Sequence, residues 1–219
     1  MKESVNFWNK LHAETRFRLI YPNEHVVRFL SRNYSDYRER KQIRVLDIGV
    51  GTGRHTKLLR DMGFDTFGID ISITGLKFTR ERIGQNQISL IRSEMTGLPF
   101  KEENFDSVIS FGVFYYGRAS HMKSAILEVF RVLRQGGKAF IMVRTTDDYR
   151  YGKGTLLEKD TYRLTIQETN EHGTVQHFLS ERALIDYFSI FPKLEYEKSE
   201  TTFMQRRAVN SDWLISAGK

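Results

Sequence analysis

From Arg44 onward, short apolar runs alternate with helical patterns, the rhythm of a parallel sheet with crossover helices. Arg44–Ile48 reads as the first strand, and the helix after it carries Leu58, Leu59 and Met62. Thr66–Ile69 reads as the second strand. Ser72 then reads as the N-cap of a helix buried through Ile73, Leu76 and Ile83. Ile88–Ile91 and Ser107–Phe111 predict the third and fourth strands. Met122, Ala125, Ile126, Val129, Phe130 and Leu133 follow the helical spacing i, i+3, i+4, i+7, i+8, i+11. Gln135-Gly136-Gly137 predicts the end of that helix, and Lys138–Val143 a fifth strand.

The flanks are less regular. Phe7–Phe17 and Val26–Tyr34 read as helices, the second entered through Pro22-Asn23-Glu24. Arg144–Asn170 is polar, aromatic and charged, loosened by Gly152 and Gly154, and reads as an open segment. Ser180–Phe188 reads as a helix with an N-capping serine, and Leu194–Phe203 and Val209–Ser216 as two strands able to pair antiparallel. No internal repeat or Pro/Gly/Ser linker divides the 219 residues, so a single domain is expected.

Composition narrows the chemistry. Hydrophobic residues make up 40% and charged residues 28%, an ordinary globular mix. With no cysteine, disulfides, cysteine metal sites and a cysteine nucleophile are closed, and no metal is expected. The first twenty residues lack the apolar run of a signal peptide, and Ala139–Val143 is far too short to span a bilayer. A cytoplasmic protein is the expectation. The net charge of +7 permits anionic partners, yet the basic residues are interspersed with acids, as in Arg80-Glu81-Arg82, like solvated helix faces.

The segment Asp47-Ile48-Gly49-Val50-Gly51-Thr52-Gly53 carries the chemistry: a buried strand runs into three alternate glycines and then a helix. A dinucleotide fingerprint would want a third glycine where Arg54 stands, and no Gly-Lys-Ser/Thr phosphate loop follows. An acid just before the first glycine suits a cationic ligand such as a sulfonium with an α-amino group. Asp70, 17 positions after Gly53, ends the second strand, where a carboxylate can accept both hydroxyls of a ribose.

These residues resemble the class I S-adenosylmethionine-dependent methyltransferases, specifically the small-molecule branch with a ubiquinone/menaquinone-type methyltransferase domain. Asp47-x-Gly49-x-Gly51-x-Gly53 is similar to that family's first motif and Gly68-x-Asp70-x-Ser72 to its second. Ser93 to Phe100, ending Leu98-Pro99-Phe100, resembles the third; Phe105 to Ser110 and Glu128-x-x-Arg131-Val132-Leu133-x-x-Gly136-Gly137 resemble the next two. The resemblance covers roughly residues 44–143. It implies a Rossmann-like α/β fold: seven mostly parallel strands with the last antiparallel, helices on both faces, and an N-terminal helical cover. Residues 1–42 then form the extension, 43–143 the donor-binding core, and 144–219 an acceptor-side insertion with a C-terminal hairpin.

The implied cofactor is S-adenosyl-L-methionine, with S-adenosyl-L-homocysteine as product. Its expected contacts are Asp47, Gly49, Gly51 and Gly53 for the methionine part, Asp70 with Ile71 for the ribose, and Glu94 and Met95 for the adenine, with Phe111 nearby. In related folds the residues after the fourth strand face the reacting end of the donor, which makes Tyr115 and Tyr116 catalytic candidates. His121, His172 and His177 are candidate bases by residue type. Arg144, Arg150 and Tyr151 suggest a clamp for an anionic or hydroxylated small-molecule acceptor, methylated on oxygen or nitrogen. The rivals are an RNA methyltransferase, which a dedicated RNA-binding domain or a basic and aromatic stripe such as Arg144, Tyr149, Arg150, Tyr151 and Lys153 on one face would favour, and a non-catalytic donor-binding module, which the intact glycines and Asp70 argue against.

Overall fold

The computed structural model describes residues 2–84, 88–167 and 169–219 of the chain. The helices are α1 (Lys2–Ala13), α2 (Glu24–Asn33), α3 (Arg54–Asp61), α4 (Ile73–Ile83), α5 (Ala119–Val132) and α6 (Glu181–Tyr187). The first five strands are β1 (Arg44–Ile48), β2 (Asp65–Asp70), β3 (Ser89–Arg92), β4 (Phe105–Phe111) and β5 (Leu133–Arg144). The last five are β6 (Gly154–Glu158), β7 (Thr161–Leu164), β8 (Val175–His177), β9 (Lys193–Phe203) and β10 (Ala208–Gly218).

Seven strands form one sheet in the order β3-β2-β1-β4-β5-β10-β9, parallel except for β10, which runs antiparallel to both of its neighbours. The chain steps outward from β1 to β3 in one direction and from β4 to β5 in the other. Right-handed crossovers therefore put α3 and α4 on one face and α5 on the opposite one. The order reverses between β1 and β4, so the carboxyl ends of these two strands diverge into a crevice, the place where open α/β sheets bind ligands.

Burial explains the central strands. Val45, Leu46, Ile48, Val108, Ile109 and Ile141 are all at most 1% exposed, because crossover helices cover both faces and leave no polar side to alternate with. The caps are local. Ser72 Oγ accepts from Gly75 N–H at the start of α4, and Ser180 Oγ accepts from Ala183 N–H at the start of α6.

Several expectations are corrected. Ile73 is 55% exposed, because it is the first residue of α4 and lies ahead of the stripe formed by Leu76 and Ile83. The first helix ends at Ala13, with Thr15–Phe17 a separate 3₁₀ turn. Strand β5 begins at Leu133, five residues before Lys138, because Leu133 pairs with Phe105 ahead of a register shift. The segment read as open, from Arg144 to Asn170, contributes β6 and β7 to an antiparallel three-stranded sheet, β6-β7-β8. That small sheet is joined to the core by isolated bridges, Tyr116 to Gln176 and Thr145 to Leu179.

Phe105 is fully buried and meets Phe67 and Phe100 edge-to-face at 5.3 and 4.9 Å. Phe105→Ala is expected to lower unfolding stability by about 3–5 kcal/mol, the usual cost of emptying a large aromatic site. Urea denaturation reads this directly, and a loss below about 1 kcal/mol would be inconsistent with that core.

Candidate active site

A cavity of about 690 Å³ opens at the carboxyl edge of the large sheet. Its floor is the turn after β1. Gly49 has φ +78°, and a Cβ there would lie 2.3 Å from Val113 Cγ2, so only glycine lets this turn pass beneath the one after β4. Gly49, Gly51, Asp70, Ile71, Glu94, Met95 and Phe111 all line the cavity. Asp47 and Gly53 stand behind this wall. Asp47 accepts a hydrogen bond from Thr56 Oγ1 at 2.6 Å, and Gly53 is the left-handed residue that leads into α3.

Asp70 is positioned by the backbone. Its Oδ1 accepts from Ser72 N–H at 2.7 Å and its Oδ2 from Gly51 N–H at 2.8 Å. A carboxylate has about four acceptor sites, so Asp70 keeps acceptor capacity for a ligand. Burial raises the Asp70 carboxyl, against the pull of His12 and of those N–H groups. Burial also lifts Asp47, to about 7, with Asp70 adding to the rise and Thr56 and Arg54 opposing it.

Three wall residues were not singled out from the sequence: His12, Arg54 and His55. His12 belongs to α1, whose Ser4, Phe7 and Trp8 also face the cavity as a roof. The Ser72 hydroxyl donates to Asn9 Oδ1 and accepts from Gly75 N–H, so the 3.0 Å contact with His12 must be donated by the ring Nδ1. The Nε2 lone pair is thereby left free, and burial lowers the pKa of the ring, against the pull of Asp70. The His55 Nε2 accepts from Asn23 N–H, and burial with Arg54 nearby lowers this histidine to about 3. No local motif announces these contacts; His12 and Ser72 lie 60 positions apart.

At the other end of the cavity, Tyr116, His121 and His172 line the wall together with Arg163. Tyr115 is buried behind it, under the Arg144 guanidinium at 4.3 Å. His177 is away from the wall, its Nδ1 at 2.7 Å from Thr161 Oγ1 and its Nε2 at 3.1 Å from the Tyr187 hydroxyl. Tyr116 donates its hydroxyl to Glu171 Oε1, and burial beside Tyr115 and Glu171 raises its pKa well above the ordinary phenol range. A phenol held in this way stays protonated and cannot act as a base.

The expected acceptor clamp is corrected. Arg144, Arg150 and Tyr151 are not on the cavity wall. Arg144 pairs with Glu171 at 2.9 Å and bonds Gln176 Oε1. Arg150 lies 3.0 Å from Asp148 and 2.7 Å from Glu171. The Nε of Arg150 is not aimed at Glu171 Oε2 as a hydrogen bond, so that contact is charge proximity. Tyr151 donates to Asp160 at 2.7 Å and packs edge-to-face on Tyr162 and Phe178. These groups are paired internally because the insertion folds as a sheet with a buried charged seam against β5.

Residues 46–141 match the family described as "Methyltransferase domain". The chain is 36% identical over 99 residues to a demethylmenaquinone methyltransferase of Renibacterium salmoninarum, covering 45% of this chain and 40% of that one. An uncharacterized methyltransferase of Anoxybacillus flavithermus is 26% identical over 152 residues, 69% of this chain and 65% of that one. The chain thus spans less than two thirds of the length of these relatives. The crystal structure of a SAM-dependent methyltransferase from Methanosarcina mazei has the same fold, with a TM-score of 0.67 at 19% identity over 80% of this chain and 92% of that one. Among the described residues, no helix is long and apolar enough to cross a membrane, and no cluster of three His, Asp or Glu could hold a metal ion.

The elevated carboxyl of Asp47 has a measurable sign. Its folded value of about 7 lies above the ordinary 3.8, so the folded state binds the extra proton between these values. The Asp47 contribution to stability therefore falls as pH rises through that window. Asp47→Asn removes the titration. Relative to wild type, this variant is expected to gain stability as pH is raised from about 4 to about 7, read as the difference in urea midpoints. A pH-independent difference would place the Asp47 titration elsewhere.

Proposed function

We propose that residues 46–141, which match the family described as "Methyltransferase domain", are the core of a class I methyltransferase that transfers the methyl group of S-adenosylmethionine to an oxygen or nitrogen of a small acceptor. The observation that carries this reading is the continuous cavity at the switch between β1 and β4, with the glycine turn, Asp70 and Tyr116 on one wall. Its volume of about 690 Å³ lies within the range of small-molecule sites.

The residues present fit the donor. Gly49 and Gly51 line the cavity with bare backbone, and Asp70, held by two backbone N–H groups, keeps acceptor capacity for the ribose hydroxyls. Glu94 and Met95 would meet the adenine, and Arg54, with its guanidinium 5.6 Å from the Phe111 ring, would pair with the α-carboxylate. When bound, S-adenosylmethionine supplies a methyl group on a sulfonium, an excellent leaving group. The chain's own work is then to position the acceptor and to exclude water. Trp8 on the roof meets Tyr116 on the floor edge-to-face at 4.7 Å, an aromatic closure that serves both ends.

The acceptor half lies mostly outside the matched core. Phe7 and Trp8 come from α1, and Arg163, His172 and Val175 from the small sheet, so likeness over residues 46–141 leaves the acceptor open. A small anionic or hydroxylated metabolite fits a cavity roofed by a helix better than a nucleic acid does. With Arg144 and Arg150 tied to Glu171, the insertion also offers fewer free guanidinium groups to phosphates than its composition suggests.

Calorimetry is expected to show one site for S-adenosylhomocysteine. Asp70→Ala should weaken it by about 1.5–3 kcal/mol, the worth of hydrogen bonds to a charged group. Unchanged affinity would remove Asp70 from the site. Labelled methyl transfer should favour small metabolites over tRNA and rRNA fragments. Transfer to RNA that falls by about 0.7–0.9 log units per phosphate contact for each log unit of salt would establish the RNA reading instead.

A further inference from the structure

The acceptor half of the cavity has two zones of different chemistry. Next to the sheet is an aromatic throat of Phe7, Trp8, Phe111 and Tyr116, with Phe7 edge-to-face on Trp8 at 5.2 Å and Trp8 on Tyr116 at 4.7 Å. At the mouth stand His121, Arg163 and His172, which line the cavity and are solvent-exposed. The Arg163 guanidinium is steadied by the Gly173 carbonyl at 3.2 Å, beside His172. Among the described residues, the only carboxylates on the wall are Asp70 and Glu94, which follow β2 and β3. Tyr116 follows β4, two strands over from β2 in the sheet.

Among the described residues, none in the throat is free to take a proton. The Tyr116 hydroxyl is committed to Glu171, which is itself paired with Arg144 and Arg150 and lies off the wall. The His55 Nε2 is occupied by Asn23 N–H. The free Nε2 of His12 faces Gly51, on the Asp70 side of Trp8. His121 and His172 sit at the rim, at the opposite end from the glycine floor.

Resting on the methyltransferase reading above, we infer that the acceptor is a flat aromatic molecule that reaches the throat already as an oxyanion, a carboxylate or an acidic phenol. The Arg163 guanidinium at the rim attracts it and disfavours an ammonium, and the aromatic walls take the ring. The oxyanion forms an O–C bond to the methyl carbon as the C–S bond breaks, its electron pair remaining on sulfur. The negative charge and the sulfonium charge cancel, and no proton is released. An amine acceptor is served by a carboxylate that holds it and a base that receives its proton, and the described residues of the throat offer neither.

The test uses the full chain saturated with S-adenosylhomocysteine, titrated calorimetrically with benzoate, 4-nitrophenolate and benzylamine. At least one of the two anions is expected to bind about tenfold or more tightly than benzylamine. Arg163→Gln/His172→Gln should weaken the anion by about tenfold while leaving the nucleoside affinity unchanged. Both residues are exposed, and the retained nucleoside affinity certifies the fold. With labelled donor, a base-labile methyl ester identifies the carboxylate and a base-stable ether the phenol. Benzylamine binding as tightly as the anions, or nucleoside binding with no anion binding at about 10 mM, would overturn the inference and leave the methyltransferase reading intact. Failure to bind the nucleoside would overturn both.

Discussion

A methyl group on Gly49 would sit 2.3 Å from the Val113 side chain, so the turns leaving β1 and β4 can close on each other only around a residue without a Cβ. This approach sets the floor of the cavity and fixes where β4 delivers Phe111, Val113 and Tyr116. It also holds the Gly51 N–H against Asp70 Oδ2, which ties the carboxylate at the end of β2 to the same turn. Three strand ends thus share one constraint. A substitution at Gly49 would displace Val113 and, through it, the residues that lead to the acceptor half.

The second support is electrostatic. Glu171 lies between Arg144 at 2.9 Å and Arg150 at 2.7 Å and receives the Tyr116 hydroxyl, all within a buried seam. A seam of this kind is weak evidence for stability, because each ion loses its hydration on burial. Its effect is on geometry. Glu171 immediately precedes His172 and Gly173 on the cavity wall, so the pairs that neutralise it also fix the loop at the rim. Glu171 favours the charged Arg144 guanidinium, against burial, which alone would lower its pKa.

What could be read from the sequence was local. The glycine spacing, the cap at Ser72 and the period of α5 each depend on residues a few positions apart, and each appears in the structure, although α5 ends at Val132 and Leu133 to Gly137 already belong to β5. Arg144 and Arg150 looked available because nothing near them in sequence names Glu171, 27 and 21 positions away, as their partner. His12 looked like one polar residue of an amphipathic helix, and its role on the wall depends on Ser72, across 60 positions. The small sheet was missed for a related reason. Its strands are three to five residues long, too short for an alternation to stand out from the charged background.

Helix α1 hangs from the cap of α4: Asn9 Oδ1 receives both the Ser72 hydroxyl and the Thr74 N–H, and His12 donates to the same Ser72 oxygen. Lifting the roof therefore strips two partners from the residue that caps α4, so roof opening and fraying of the first turn of α4 become one event. Such local openings fall at the low end of a protein's stability spectrum and run on microsecond or slower timescales. The residence time of whatever lies beneath α1 would then be governed by a helix end. Hydrogen exchange at the Gly75 amide, which the Ser72 oxygen protects, would keep its clock.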